Sequence, residues 1–175
     1  YYDLANAYVL VENYDKAEIY YKKAIAIGKK INSHQYLANA RNFLAQLYLD
    51  RKIHLDESER LLQASLETNI HIYGNKSDLV AENYLLLAKI YKLKEDESRF
   101  LEYIKKSLEA ANYSQDELGS VIGPLQALDA LMLVGDWYNK VFEEDHDISH
   151  LIDSYALVDQ KTALIKHTQR NFSSD

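Results

Sequence analysis

Cysteine is absent from the 175 residues, so no disulfide, thiolate metal site or cysteine nucleophile can lie within them, and the redox compartment stays open. Proline occurs once and glycine five times. Breakers this scarce cannot supply the many tight turns of a β-sandwich or barrel, and they leave room for long helices. No stretch approaches the roughly 18 uncharged apolar residues of a membrane-spanning helix. The longest basic run is Lys29-Lys30, too short for a polybasic membrane anchor. With 20 basic against 27 acidic side chains the formal charge is -7, which argues against a nucleic-acid-binding face.

What is present is an ordinary globular balance, 47% hydrophobic and 27% charged, enough for one sizeable core. The pattern is already running at Tyr1, and the single methionine is Met132. We therefore expect a piece of a longer chain, with no initiator or signal peptide in view.

Self-similarity decides the architecture. Three segments place a large residue, then Leu-Ala after a gap of two, then Tyr three later. They are Tyr1, Leu4, Ala5, Tyr8; Arg41, Leu44, Ala45, Tyr48; and Tyr84, Leu87, Ala88, Tyr91. After each comes a short polar break and a second pattern of small, large, small and aliphatic residues. It reads Ala17, Tyr21, Ala24, Ile25, then Ser58, Leu62, Ser65, Leu66, and more weakly Phe100, Ile104, Ser107, Leu108. Spacings of three, four and seven put these residues on one face of each helix. The small residues let two helices approach, and the aromatic ones fill the space beside them. A single pair cannot bury such a face, so neighbouring pairs must stack.

These residues resemble the tetratricopeptide family. Tyr1, Leu4, Ala5, Tyr8, Ala17, Tyr21 and Ala24 fall on its signature positions, with Asn13-Tyr14-Asp15 at the turn. The period is longer than the family's usual 34 or so residues: Tyr8 to Tyr48 is 40 and Tyr48 to Tyr91 is 43. The stretch from Ile70 to Asp78 is similar to the long-helix variety found in kinesin light chains and many bacterial signalling proteins. The resemblance implies an all-α fold, a right-handed solenoid of about four antiparallel helix pairs.

Helices are expected over 1–12, 15–31, 34–50, 55–73, 78–93, 96–112, 117–143 and 147–171, with Gly123-Pro124 breaking or restarting the seventh. Ser33, Asp56, Ser77 and Asp78 are candidate N-caps and Gly74 a C-terminal stop. We divide the chain into helical repeats over 1–112 and a degenerate last repeat with a long connector helix over 113–175. That tail resembles the segment joining tetratricopeptide repeats to a caspase-like CHAT domain in bacterial proteins. The likeness rests on Pro124-Leu-Gln-Ala-Leu-Asp129, Asp147-Ile-Ser-His-Leu-Ile-Asp-Ser-Tyr-Ala156 and Gln169-Arg-Asn-Phe-Ser-Ser-Asp175.

The family's groove is lined by the first helix of each pair. Carried over, its positions are Tyr2, Asn6 and Val9, then Asn39, Asn42, Gln46 and Leu49, then Glu82, Leu85, Lys89 and Lys92. Amides and hydrocarbons here suit an extended peptide or a helix; equally, the groove is only solvated or is filled by the last helix. Asn6 matches the asparagine of the family's chaperone-tail clamp, but Tyr2 stands where its lysine would be and Glu82 has the wrong charge. Most of the 15 tyrosines are repeat core, with Tyr2, Tyr20, Tyr36 and Tyr103 less constrained. His146 and His150 are four apart, yet the first lies in an acidic loop and no third ligand is evident, so we read a solvated helix start and no metal.

No phosphate loop, serine elbow or paired-carboxylate arrangement stands out. The expectation is a non-catalytic scaffold without cofactors, in the bacterial cytoplasm, whose partner is a protein, a peptide or an attached domain. It is either the regulatory arm of a CHAT-domain protein or the interaction module of a bacterial signalling protein or adaptor. Leu157, Val158, Ala163, Leu164 and Ile165 are expected to leave a surface on which something further packs.

Overall fold

Among the described residues, six of the seven helix ends that close on a residue of positive φ do so without glycine. Glu12, Asn32, Lys52, Glu95, Asn112 and His146 all take positive φ, as does Gly74. In five of these turns the next amide reaches back to a carbonyl five residues earlier, as from Asn13 to Tyr8 and from Ile53 to Tyr48, both at 2.9 Å. That closure satisfies orphan carbonyls of the helix end and reverses the chain in two or three residues. A glycine-poor sequence thus makes one kind of turn repeatedly, and it connects helices only.

The computed structural model describes residues 1–113 and 123–172. Its regular elements there are all helices: α1 (Tyr2–Leu10), α2 (Tyr14–Lys30), α3 (His34–Asp50), α4 (Leu55–Tyr73), α5 (Asp78–Leu93), α6 (Glu97–Ala110), α7 (Pro124–Asp145) and α8 (Ile148–Phe172). Three spans coincide with the expected ones, and the others differ by a few residues. Positions 117–122, expected to open the seventh helix, lie outside the described residues. Pro124 takes the first position of α7, where its missing N–H costs nothing.

Of the expected caps, Asp56 and Asp78 are placed differently, while Ser33 is in place without its side-chain bond. Asp56 lies within the first turn of α4, behind His54 at the cap. Ser33 sits at the cap of α3 but makes no side-chain bond there. Asp78 is the first residue of α5, and it is Ser77 Oγ that accepts from the Val80 amide at 3.2 Å.

By its contacts the chain forms two compact units that interleave in sequence: Tyr1–Gly74 with Leu86–Phe100, and Asn75–Leu85 with Leu101–Asp175. In the first, α1 packs on α2, α2 on α3 and α3 on α4. Ala5, Ala17, Tyr21, Leu44, Leu47 and Tyr48 form one buried cluster, with Tyr2, Tyr8 and Val9 packed against it. The small positions of the pattern do what small residues allow. Ser58 Oγ donates to the Ala45 carbonyl at 2.9 Å and Ser65 Oγ to that of Ala38 at 3.0 Å, which tie α4 to the backbone of α3. The second unit repeats the device where Ser107 Oγ of α6 donates to the Ala81 carbonyl of α5 at 2.8 Å.

In the second unit α7 packs on α8. With both helices in view, a fourth copy of the first-helix pattern emerges: Leu131, Val134, Gly135 and Tyr138 stand where Leu-Ala and Tyr stand elsewhere. Ser154 of α8 is buried, as Ser65 and Ser107 are. The pattern's small position is here a glycine, and a Cβ on Gly135 would meet nothing within 4 Å. Gly135→Ala is therefore expected to stabilise the protein by about 0.5–1 kcal/mol, the helix-interior cost of glycine. A rise in the urea midpoint would verify it. Gly28→Ala should not share the gain, because its Cβ would lie 3.2 Å from the Leu37 Cα, backbone that cannot swing aside.

Candidate partner groove

The eleven groove positions divide by exposure. Asn42, Leu49 and Leu85 are buried and present little to a partner. Tyr2 and Val9 pack on the first unit's core, with the Tyr2 ring 4.9 Å from that of Phe43. Asn6 Oδ1 accepts the Tyr21 hydroxyl, so the asparagine that matched a ligand clamp also serves the repeat's own packing. Burial, with Tyr2 nearby, pushes the Tyr21 phenol up to about 12, so it stays a neutral donor. Asn39, Gln46, Lys89 and Lys92 are half-buried in the first unit, and Glu82 is half-buried in the second. Gln46 Nε2 donates to Asp50 Oδ1, and the Lys92 ammonium lies 6.0 Å from the centre of the Phe100 ring.

The less constrained tyrosines are mostly engaged with other rings. Tyr20 stacks on Tyr8 at 5.4 Å and on Tyr1 at 5.9 Å, and Tyr103 lies 6.1 Å from Tyr84. Tyr36 is half-buried beside Gly28. His146 is the left-handed cap of α7, and the His150 ring stacks 6.1 Å from Tyr138. Among the described residues no group of three or more His, Asp or Glu could hold a metal ion. No described helix is long and apolar enough to cross a membrane.

Two features escaped the sequence. The first is a pair of tyrosine–carboxylate links between successive repeats in the first unit. The Tyr48 hydroxyl donates to Glu18 at 3.0 Å, and the Tyr91 hydroxyl donates to Glu59. Each glutamate directly follows a small position, Ala17 or Ser58. Lys94 bridges Glu59 and Asp56 at 2.7 Å each. Burial alone would raise the Glu59 carboxyl, but the bonds from Lys94 and Tyr91 hold it below its ordinary value. Glu18 shows the same balance, with Lys22 and Tyr48 as donors.

A pH dependence follows from these two groups. Their folded values lie below their unfolded ones, so the links stabilise fully above the ordinary glutamate value of 4.5. The contribution is lost as pH falls through the depressed folded values. The urea midpoint is expected to drop on acidification below that point, and Glu59→Gln to flatten part of the drop.

The second feature is a groove of about 480 Å³ in the second unit, between α6 and the α7–α8 pair. Leu101, Ile104, Leu108, Val134, Tyr138 and Leu157 line it, with Lys105 and Asp153 among its polar residues. Ile104 and Leu108 belong to the second-helix pattern of the sequence; Leu101 and the wall from Val134 to Tyr138 do not, since the first-helix pattern recurs there only with a valine and a glycine substituted.

The fold has a solved counterpart. The crystal structure of BtubC (BKLC) from P. vanneervenii matches with a TM-score of 0.74 and 21% sequence identity, covering 95% of this chain. The chain spans 62% of that protein's length. At this identity the likeness shows the fold alone, an all-α array of helix pairs. No family profile matches the sequence, and no curated protein is similar to it.

Proposed function

We propose that this chain is a non-catalytic interaction scaffold of the tetratricopeptide kind, the regulatory arm of a larger bacterial, cytoplasmic protein that carries a caspase-like CHAT domain. The observation that carries the scaffold reading is the placing of Asn39 and Gln46. They lie seven residues apart on α3, both half-buried, on a helix whose Leu44, Ala45 and Tyr48 are fixed in the core. Amides held on a rigid helix face can pair with the backbone of an extended peptide at little cost in ordering entropy. Lys89 and Lys92 on α5 add positive charge in the same unit, suiting a peptide with acidic residues. The mechanism is passive: occupancy biases the position of an attached domain through differential affinity for its states.

Support for an attached domain comes from α8. Val158 is half-exposed and Ala163 exposed, as a packing surface requires, whereas Leu164 turns inward into the core.

Selection from a random peptide library tests the scaffold. Peptides recovered against the 175-residue chain should bind saturably and lose affinity with Asn39→Ala and Gln46→Ala. Recovery of none, or of peptides indifferent to both substitutions, would sink the groove. Reading the native coding sequence past Asp175 tests the arm. A histidine and later a cysteine, each after an apolar strand, support it. An early stop codon would leave a free adaptor, and kinase motifs would make the chain the module of a sensor.

A further inference from the structure

We propose that the α7–α8 pair opens away from α6 as one body, with both of its helices still formed, because their junction lacks the carboxylate latch that closes the other two.

The sequence aligns the three junctions between successive repeats. Each brings the first-helix tyrosine of one repeat toward the residue that follows the small position of the repeat before. At the first, Tyr48 donates to Glu18; at the second, Tyr91 donates to Glu59, which Lys94 also holds at 2.7 Å. At the third the tyrosine is Tyr138, and the residue after Phe100 is Leu101, whose side chain can accept nothing. Closure differs accordingly. Tyr48 and Tyr91 are 2% and 3% exposed, while Tyr138 is only half-buried. Tyr138 stands with Leu101 in the wall of the 480 Å³ groove, so open space lies where the other junctions are packed. Leu101, Val134 and Tyr138 look into that groove from neighbouring repeats, so the gap belongs to an internal junction and not to an end of the chain.

The polar contact that remains across it is weak. The Tyr113 hydroxyl and Gln160 Oε1 are 3.5 Å apart, at the limit of a hydrogen bond, and neither carries a charge. Lys105 lies 3.9 Å from Glu109 of its own helix, and Asp153 on the far wall makes no ion pair among the described residues. Meanwhile α7 and α8 pack on each other, so the pair can move without losing its helices. Stacked helix pairs are held by interfaces with their immediate neighbours, and partial opening occurs at the weakest of them.

Opening would uncover Ile104 and Val134, which are 4% and 6% exposed in the closed form. An attached domain that bound those residues would hold the pair open. That use rests on the regulatory-arm reading; the opening itself does not.

Native-state hydrogen exchange of the 175-residue chain, read by NMR at neutral pH under small increments of urea, tests the opening. The amides of α7 and α8 should converge on one opening whose urea dependence is well below that of global unfolding. They should exchange at least about tenfold faster than those of α3 and α4. Leu101→Glu supplies the missing acceptor and should slow that exchange severalfold, with the gain lost on acidification through the glutamate range. Lys105→Cys with Asp153→Cys, both at exposed positions and joined across the groove by a flexible bis-maleimide, should remove the early opening even if the glutamate variant fails to fold. Exchange of α7 and α8 only through global unfolding would overturn the proposal. An early opening that the cross-link leaves untouched would do the same, because the helices themselves would then be melting. A folded Leu101→Glu variant that opens as fast as the native chain would also sink it, since the latch would not be what is missing.

Discussion

Phe100→Ala is expected to cost about 3–5 kcal/mol, the usual range for deleting a fully buried phenylalanine. The repeat pattern alone argues the opposite. Phe100 stands where Ala17 and Ser58 stand, so alanine looks like a return to the rule. The structure overrides the pattern, because Phe100 is 1% exposed and among the largest fully buried side chains. Its volume is part of the core, and alanine would leave a hole that the neighbouring helices cannot close without moving their backbones. A large fall in the urea midpoint with an unchanged slope would bear this out. A neutral result would mean that the site collapses freely and that the pattern is the better guide.

Ala45→Leu is the converse experiment. Ala45 is fully buried on α3, and Ser58 of α4 donates to its carbonyl at 2.9 Å. The two helices touch where both side chains are small. A leucine at position 45 must push α4 away or take a strained rotamer, and the shift also breaks the serine's bond. The expected loss is about 1–3 kcal/mol from overpacking, with about 1 kcal/mol more for the hydrogen bond. Ala45→Gly should be milder, near the 1 kcal/mol or so of helix propensity. If leucine proved the milder of the two, the close approach of α3 and α4 would not be what holds the repeat together.

The helix pairs were legible because their information is local. Spacings of three, four and seven within a helix, and a polar break after it, suffice to place α3, α4 and α5 to the residue. The pieces that escaped are those whose partners are far apart or replaced. Glu18 and Tyr48 lie 30 residues apart, and Glu59 and Tyr91 lie 32 apart. Nothing in either neighbourhood marks the carboxylate as an acceptor. Leu131, Val134, Gly135 and Tyr138 keep the chemistry of the first-helix pattern with a valine and a glycine exchanged in, and Tyr138 follows Tyr91 by 47 residues, a spacing no earlier repeat announces. Of the groove positions, periodicity gave the helix face but not how far each side chain is covered. Asn42 and Leu49 share a face with Asn39 and Gln46 on paper, as Leu85 does with Glu82 and Lys89, and their burial depends on neighbouring elements that a single-helix reading does not contain.

One consequence concerns how the polypeptide can be divided. Helix α5 lends residues 78–85 to the second compact unit and 86–93 to the first, and the chain passes from one unit to the other three times. No single scission, by a protease or by a stop codon, can therefore release either unit whole. A fragment ending at Gly74 would lose Tyr91 and Lys94, the two donors that hold Glu59, and with them the cover of α4. Truncation series on this chain should accordingly yield either the entire array or products that aggregate and are cleared, with no stable half between them.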